Sequence, residues 1–146
     1  GLAYEQKNVA PNSTLPVKEI GYNYRVSFDI DGTKEAMGTE LFRSQDAVFY
    51  LSDPISGMLG FARDGYLNTF TYNVQPGQRM NIAIEGDNKA TRLFINGKQV
   101  EELNIQERWM DKEGKSRMRN VRTLVFPLEK AGNFQSKITN LKVEQK

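Results

Sequence analysis

Residues 58–103, MLGFARDGYLNTFTYNVQPGQRMNIAIEGDNKATRLFINGKQVEEL, decide the fold. Asp64-Gly65 and Asn96-Gly97 are two-residue hairpin signals, because a type I′ turn needs positive φ at both central positions. Pro76-Gly77 and Gly86-Asp87-Asn88 close other runs. Between the turns, Met80, Ile82 and Ile84 alternate with polar or small residues, the period of a half-buried strand.

The same rhythm extends in both directions. Tyr22, Tyr24, Val26, Phe28 and Ile30 fall on one face, with Asn23, Arg25, Ser27 and Asp29 on the other. Asp31-Gly32 ends that run with turn chemistry. Further strands are predicted at 39–43, 47–52, 58–63, 66–74, 80–85, 91–95, 98–103, 123–128 and 137–144. Short strands with a turn signal about every 8–12 residues predict an all-β sandwich or barrel. Phe28, Phe42, Phe49, Phe61, Phe70, Phe94 and Phe126 are expected mostly in its core.

Two segments break the rhythm. Residues 1–20 are polar, contain Pro11 and Pro16, and read as a linker or one short edge strand following an upstream domain. The sandwich itself is expected over 21–146. Asn12-Ser13-Thr14 fits the N-glycosylation pattern and reads as chance. Residues 104–120, NIQERWMDKEGKSRMRN, lack strand alternation and read as a long loop or a loop holding one short helix.

The chain has 146 residues, no Cys and no His, and a net charge of +2 from 20 basic and 18 acidic side chains. One domain of this length buries a core without cross-links. Absence of His removes the commonest general base and the commonest zinc ligand. The balanced charge gives no footprint for nucleic acid, and no run of about 20 apolar residues predicts a membrane span. Gly1 and the polar segment after it read as an excised piece whose export signal lies upstream.

Residues 58–103 resemble the core of the laminin G-like and concanavalin A-like lectin families. Those families show a strand, a Pro-Gly loop, an aliphatic strand and a hairpin, here Leu93-Phe94-Ile95-Asn96-Gly97-Lys98-Gln99-Val100. Their closing strand is similar to Gly132-Asn133-Phe134-Gln135-Ser136-Lys137-Ile138-Thr139-Asn140-Leu141-Lys142-Val143. The resemblance covers about 20–146 and implies a two-sheet antiparallel jelly-roll sandwich, the concanavalin A-like lectin/glucanase fold. The whole chain also resembles the accessory module that follows the catalytic barrel in some Bacteroides-type family 20 β-N-acetylhexosaminidases. That resemblance implies a non-catalytic, carbohydrate-binding appendage of a glycoside hydrolase, secreted, periplasmic or at the bacterial cell surface. The alternative is a module that packs on the catalytic domain without binding sugar. The expected partner is a glycan or that upstream catalytic domain.

Glycosidases need two carboxylates flanking the scissile bond, about 5–9 Å apart. The Glu-x-Asp-x-x-Glu strand of the jelly-roll glucanases is missing. Glu85-Gly86-Asp87 lies at a turn, and Glu101 and Glu102, as neighbours on a strand, point to opposite faces. No catalytic residue is therefore assigned. The galectin signature of His and Arg beside a stacking Trp fails for want of His. No cofactor is expected except calcium, for which Asp53, Asp64 and Asp87 are the candidate rim ligands; single turn aspartates more often shape their own turns.

Sugar binding needs an aromatic platform for the C–H face of a pyranose, with polar groups for its hydroxyls. Trp109, the only Trp, is the candidate platform, with Arg63, Tyr66 and Asn68 beside the Asp64-Gly65 turn as its rim. Trp109 packing on its own sheet or on a neighbouring domain is the alternative. The basic cluster Lys112, Lys115, Arg117, Arg119 and Arg122, interrupted by Asp111 and Glu113, reads as a solvated loop or a surface for an anionic glycan or acidic partner.

Overall fold

Alternating apolar residues bury one side of the central strands, and two such sheets close on each other. A computed structural model describes the chain except at residues 22, 46, 64, 105 and 121–126; at 106–109 and 118–120 it describes the backbone. The strands are β1 (Leu2–Val9), β2 (Thr14–Val17), β3 (Tyr24–Asp31), β4 (Thr39–Ser44), β5 (Ala47–Ser52), β6 (Gly60–Arg63), β7 (Tyr66–Thr69), β8 (Arg79–Gly86), β9 (Ala90–Ile95), β10 (Lys98–Asn104), β11 (Gln106–Met110), β12 (Ser116–Asn120), β13 (Leu128–Ala131) and β14 (Lys137–Gln145). There is no helix among the described residues.

Sheet A has the order β1-β14-β3-β8-β9-β10 and sheet B the order β2-β13-β4-β5-β6-β7, six strands each. Every described pairing is antiparallel. The core lies between the two sheets. Val26, Phe28 and Ile30 of β3 face Ile84, Ile82 and Met80 of β8 in register, and all are buried. From sheet B, Phe42, Phe49 and Phe61 form a cross-strand row. Phe28 meets Phe42 across the interface edge-on, with ring centroids 5.9 Å apart, the favourable aromatic geometry. Phe94 departs from the core expectation. It lies on the outer face of sheet A with the Arg25 guanidinium 5.2 Å above its ring. Phe126 lies outside the described residues.

The N-terminal segment is more than a linker. β1 pairs with β14 and β2 with β13, so residues 2–17 give each sheet an edge strand. Pro16 in β2 fits this place, since an edge strand tolerates a residue without an N–H; Pro11 lies in the turn between β1 and β2. Residues 104–120 also differ from expectation. β11 and β12 form an antiparallel ribbon, paired in register from Gln106↔Asn120 to Met110↔Ser116. Among the described residues neither strand joins sheet A or B. Asp111 closes the ribbon's turn by accepting from the N–H groups of Glu113 and Lys115 and from Arg117 Nε. The run expected at 66–74 pairs regularly only to Thr69. Of the strand expected at 123–128, residues 123–126 lie outside the described residues; β13 begins at Leu128.

Candidate functional site: the outer face of sheet B

The two outer faces differ. On sheet A the charges cancel in pairs: Arg25 and Lys146 with Glu85, Arg92 with Asp87 and Glu102, and Arg79 with Asp29 and Asp31. On sheet B a small group of polar side chains gathers around Glu40 and Arg43. β4 carries register irregularities on both sides of Glu40. They turn Leu41 and Phe42 both inward and bring Glu40 and Arg43 to one face, where plain alternation would separate residues three apart. Arg43 Nε and Nη2 donate to Glu40 Oε1 and Oε2 at 2.7 and 2.8 Å, a bidentate pair. Tyr50 stands opposite Glu40 on β5 and is half-buried. Lys130 stands opposite Arg43 on β13 and is exposed. Asn133 Oδ1 accepts from the Glu40 N–H at 3.1 Å. Glu40, Arg43, Lys130 and Asn133, with Asn12, line a depression of about 140 Å³.

The chemistry available there is that of hydroxyl recognition. Glu40 supplies oxygen acceptors, Arg43 and Lys130 supply donors, and Asn12 and Asn133 supply both kinds. Glu40 holds the Arg43 guanidinium more basic than usual through its side-chain hydrogen bonds. Beside it, Val48, Ala62 and Leu67 continue the row of Arg43 across the sheet as a low apolar strip.

The residues singled out from the sequence fall elsewhere. Arg63 and Tyr66 are cross-strand partners flanking the Asp64-Gly65 turn, and Asn68 is the partner of Phe61. The register therefore puts all three on the core-facing side of β6 and β7, with Phe49 and Phe61. Tyr66 is exposed because it sits at the hairpin end. Asn68 Nδ2 is buried with no hydrogen-bond partner among the described residues. Trp109 belongs to β11, opposite Arg117; its side chain lies outside the described residues, as does Asp64.

The two described calcium candidates hold their own turns. Asp53, fully buried, accepts from the N–H groups of Ile55, Ser56 and Met58 and from the hydroxyls of Ser56 and Thr69. Burial pushes its pKa up, but the Ser56 hydroxyl and these N–H groups outweigh burial and hold it below the ordinary value. Asp87 sits on the other sheet. The Arg92 side chain, with the N–H of Lys89, lowers it to about 2. Among the described residues no three His, Cys, Asp or Glu side chains come together as a metal site.

Against solved structures the chain is similar to the galectin LEC-6 of Caenorhabditis elegans, with 13% identity over 96% of this chain and 95% of that one, at a TM-score of 0.61. It is also similar to domain 4 of AbnA, a GH43 extracellular arabinanase from Geobacillus stearothermophilus in complex with arabinotriose. There the identity is 15% over 94% and 69% of the two chains, at a TM-score of 0.54. This is a galectin-type jelly roll. A sialidase of Trypanosoma rangeli contains a similar unit, matched over 99% of this chain and 25% of its own, with 9% identity and a TM-score of 0.53. No protein-family model matches the chain, and no curated protein sequence matches it significantly. The galectin fold thus occurs here without the histidine of the galectin signature.

Sequence reading missed Glu40, Arg43, Tyr50, Lys130 and Asn133. Glu40 and Arg43 looked like residues of opposite faces because a bulge leaves no mark in the period-two pattern. The available signal was the adjacent apolar pair Leu41-Phe42 inside a strand, which breaks alternation where the bulge lies.

Proposed function

We propose that this domain is a non-catalytic carbohydrate-binding module of a glycan-degrading enzyme, and that it holds sugar on the outer face of sheet B. The observation that carries the reading is the bidentate Glu40–Arg43 pair, which lines a shallow polar depression and has Tyr50 opposite Glu40 on the next strand. A pyranose laid on the Tyr50 ring keeps its C–H face against an apolar surface while its hydroxyls meet fixed donors and acceptors. The fold neighbours support the reading: one is a galectin, and another is an arabinanase domain in complex with arabinotriose. A parent β-N-acetylhexosaminidase and an exported location rest on the resemblance of the sequence alone. The non-catalytic role rests on the missing pair of strand carboxylates.

The test is glycan-array binding followed by calorimetry on wild type, Arg43→Met and Tyr50→Ala. Binding that falls at least tenfold in both variants, at unchanged melting temperature, supports the proposal. Sugar binding that both variants retain in full removes it from this face.

A docking role is the second reading, favoured by the ribbon of β11 and β12. Among the described residues its strands pair only with each other, and Met110 is 63% exposed. A two-stranded ribbon is marginal in water without a surface to pack on. Trp109→Ala that alters only the full-length enzyme supports docking; weaker glycan binding by the isolated domain returns Trp109 to the sugar site.

A further inference from the structure

A second cavity, of about 310 Å³, opens at one end of the sandwich and shares no lining residue with the depression on sheet B. Its walls come from the loops between β3 and β4, β5 and β6, and β7 and β8. Each loop is fastened within the protein. The first is tied to the segment leading into β14: the Thr33 N–H donates to Ser136 Oγ at 3.1 Å, and Glu35 accepts from the N–H groups of Gln135 and Ser136. Asp53 holds the second by accepting from the N–H groups of Ile55 and Ser56. The third lies against Gly32, where a Cβ would meet Gln75 O at 2.6 Å, and the Gly77 N–H donates to Gly32 O at 2.9 Å. A cavity with walls fixed in this way needs little reordering to bind.

Two of its polar groups stay unengaged. Among the described residues, Lys34 and Glu35 are its charged lining groups. Glu35 is taken up by residues that do not line the cavity: Oε1 accepts from the Gln135 N–H at 2.9 Å, and Oε2 from the Ser136 N–H and hydroxyl at 2.9 and 2.7 Å. Lys34 is exposed and has no ion-pair partner among the described residues. The hydroxyls divide in the same way. Thr33 Oγ1 lies 3.4 Å from Ser136 Oγ, and Ser56 donates to Asp53. Ser52, only 6% exposed, makes no side-chain hydrogen bond among the described residues. A buried hydroxyl left unbonded keeps its desolvation penalty and calls for a partner. Gly57 leaves that hydroxyl uncovered, since a Cβ there would stand 3.6 Å from Ser52 Oγ. Leu51 and Val74 add an apolar wall.

We propose that this cavity binds one ring-sized carboxylate. The carboxylate neutralises the Lys34 ammonium and accepts from the Ser52 hydroxyl, while the ring lays an apolar flank on Leu51 and Val74. Its two oxygens suit one cationic and one neutral donor, and bonds to an ionised acceptor are the stronger kind. A neutral sugar leaves Lys34 unpaired. Inorganic phosphate, with no carbon flank, leaves the apolar wall without a partner. Two sources offer the required chemistry, a uronic acid unit of an acidic glycan and a free cyclic carboxylic acid. The proposal stands on the cavity alone and does not need the sugar reading of sheet B.

The experiment is an amide-resolved NMR titration of the domain with glucuronate, cyclohexanecarboxylate, glucose and inorganic phosphate. The expected result is saturable shifts at Lys34, Ser52, Gly57 and Asn73 with a carboxylate, at least tenfold weaker with glucose or phosphate and weakened by added salt. Tighter binding of glucuronate assigns the site to acidic glycans, and tighter binding of cyclohexanecarboxylate assigns it to free acids. Lys34→Met alters an exposed side chain and should lower the affinity at least tenfold, with Lys34→Arg restoring most of it. Ser52→Ala should lower it about tenfold at unchanged melting temperature. Absence of shifts with both carboxylates, an equal or stronger response to glucose or phosphate, or full affinity in Lys34→Met or Ser52→Ala each overturns the proposal. Shifts confined to Glu40, Arg43 and Tyr50 overturn it while sustaining the site on sheet B. Shifts confined to the loop cavity do the reverse.

Discussion

The ring of Tyr24 occupies the space that a side chain on Gly86 would need. The two are cross-strand partners in β3 and β8. A Cβ on Gly86 would lie 2.5 Å from Tyr24 Cζ and 2.6 Å from its Oη. Tyr24 is buried and cannot swing aside without opening the end of the core. Gly86→Ala should therefore cost about 1–3 kcal/mol, the range for overpacking a filled interior. Urea denaturation measures it, and an unchanged midpoint would mean that Tyr24 moves freely.

The Asn96-Gly97 turn has φ values of 51° and 82° at its two central residues, as a type I′ hairpin requires. Gly97→Val puts a β-branched residue in that region, and a loss of about 1–3 kcal/mol is expected from backbone strain. Nothing stands within 4 Å of the position, so crowding contributes nothing and the loss reads as conformational.

Asp53→Ala should be more damaging. It leaves the N–H groups of Ile55 and Ser56, now bonded at 2.8 and 2.6 Å, without their charged acceptor. A cost of about 2–4 kcal/mol follows from losing several charge-assisted bonds at a buried site. The same variant should loosen the loop cavity, which hydrogen exchange at Ser56 to Met58 would detect.

Acid stability has an identifiable contributor in Asp87. Its folded pKa of about 2, set first by the Arg92 hydrogen bond, lies below the value of about 3.9 in an unfolded chain. The stabilisation is complete above about pH 4 and is lost as pH falls toward 2. With a quarter of its side chain exposed, screening reduces the contribution to about 1–2 kcal/mol. Melting temperatures from pH 5 to 2 should fall less steeply for Asp87→Asn than for wild type.

The isolated domain should not hydrolyse chromogenic N-acetylglucosaminides, galactosides or β-glucans. Turnover that survives purification and disappears on mutating Glu85 or Glu102 would overturn the non-catalytic reading.

The sandwich was legible in the sequence wherever strands have one wet and one dry side. Tyr24, Val26, Phe28 and Ile30 are buried as their alternation predicts, and the Asn96-Gly97 hairpin turns where its residues demand. Legibility failed where burial imposes no period. The edge strand of residues 2–9 has mostly exposed sides. It failed also where a bulge resets the period, as at Glu40. The candidate site was the less legible part because it depends on that bulge and on Lys130 and Asn133, which lie far from β4 in the chain.

The pairing of β1 with β14 brings the two chain ends together, with the Gln145 N–H donating to the Gly1 carbonyl at 2.9 Å. Topologically the domain is a closed loop with a narrow gap. A few flexible residues would bridge that gap, and the chain could be reopened at the Asn96-Gly97 turn with both sheets kept intact. By the same geometry, a polypeptide carrying this unit between two others would enter and leave it at one point, so the unit could be gained or lost without moving its neighbours apart.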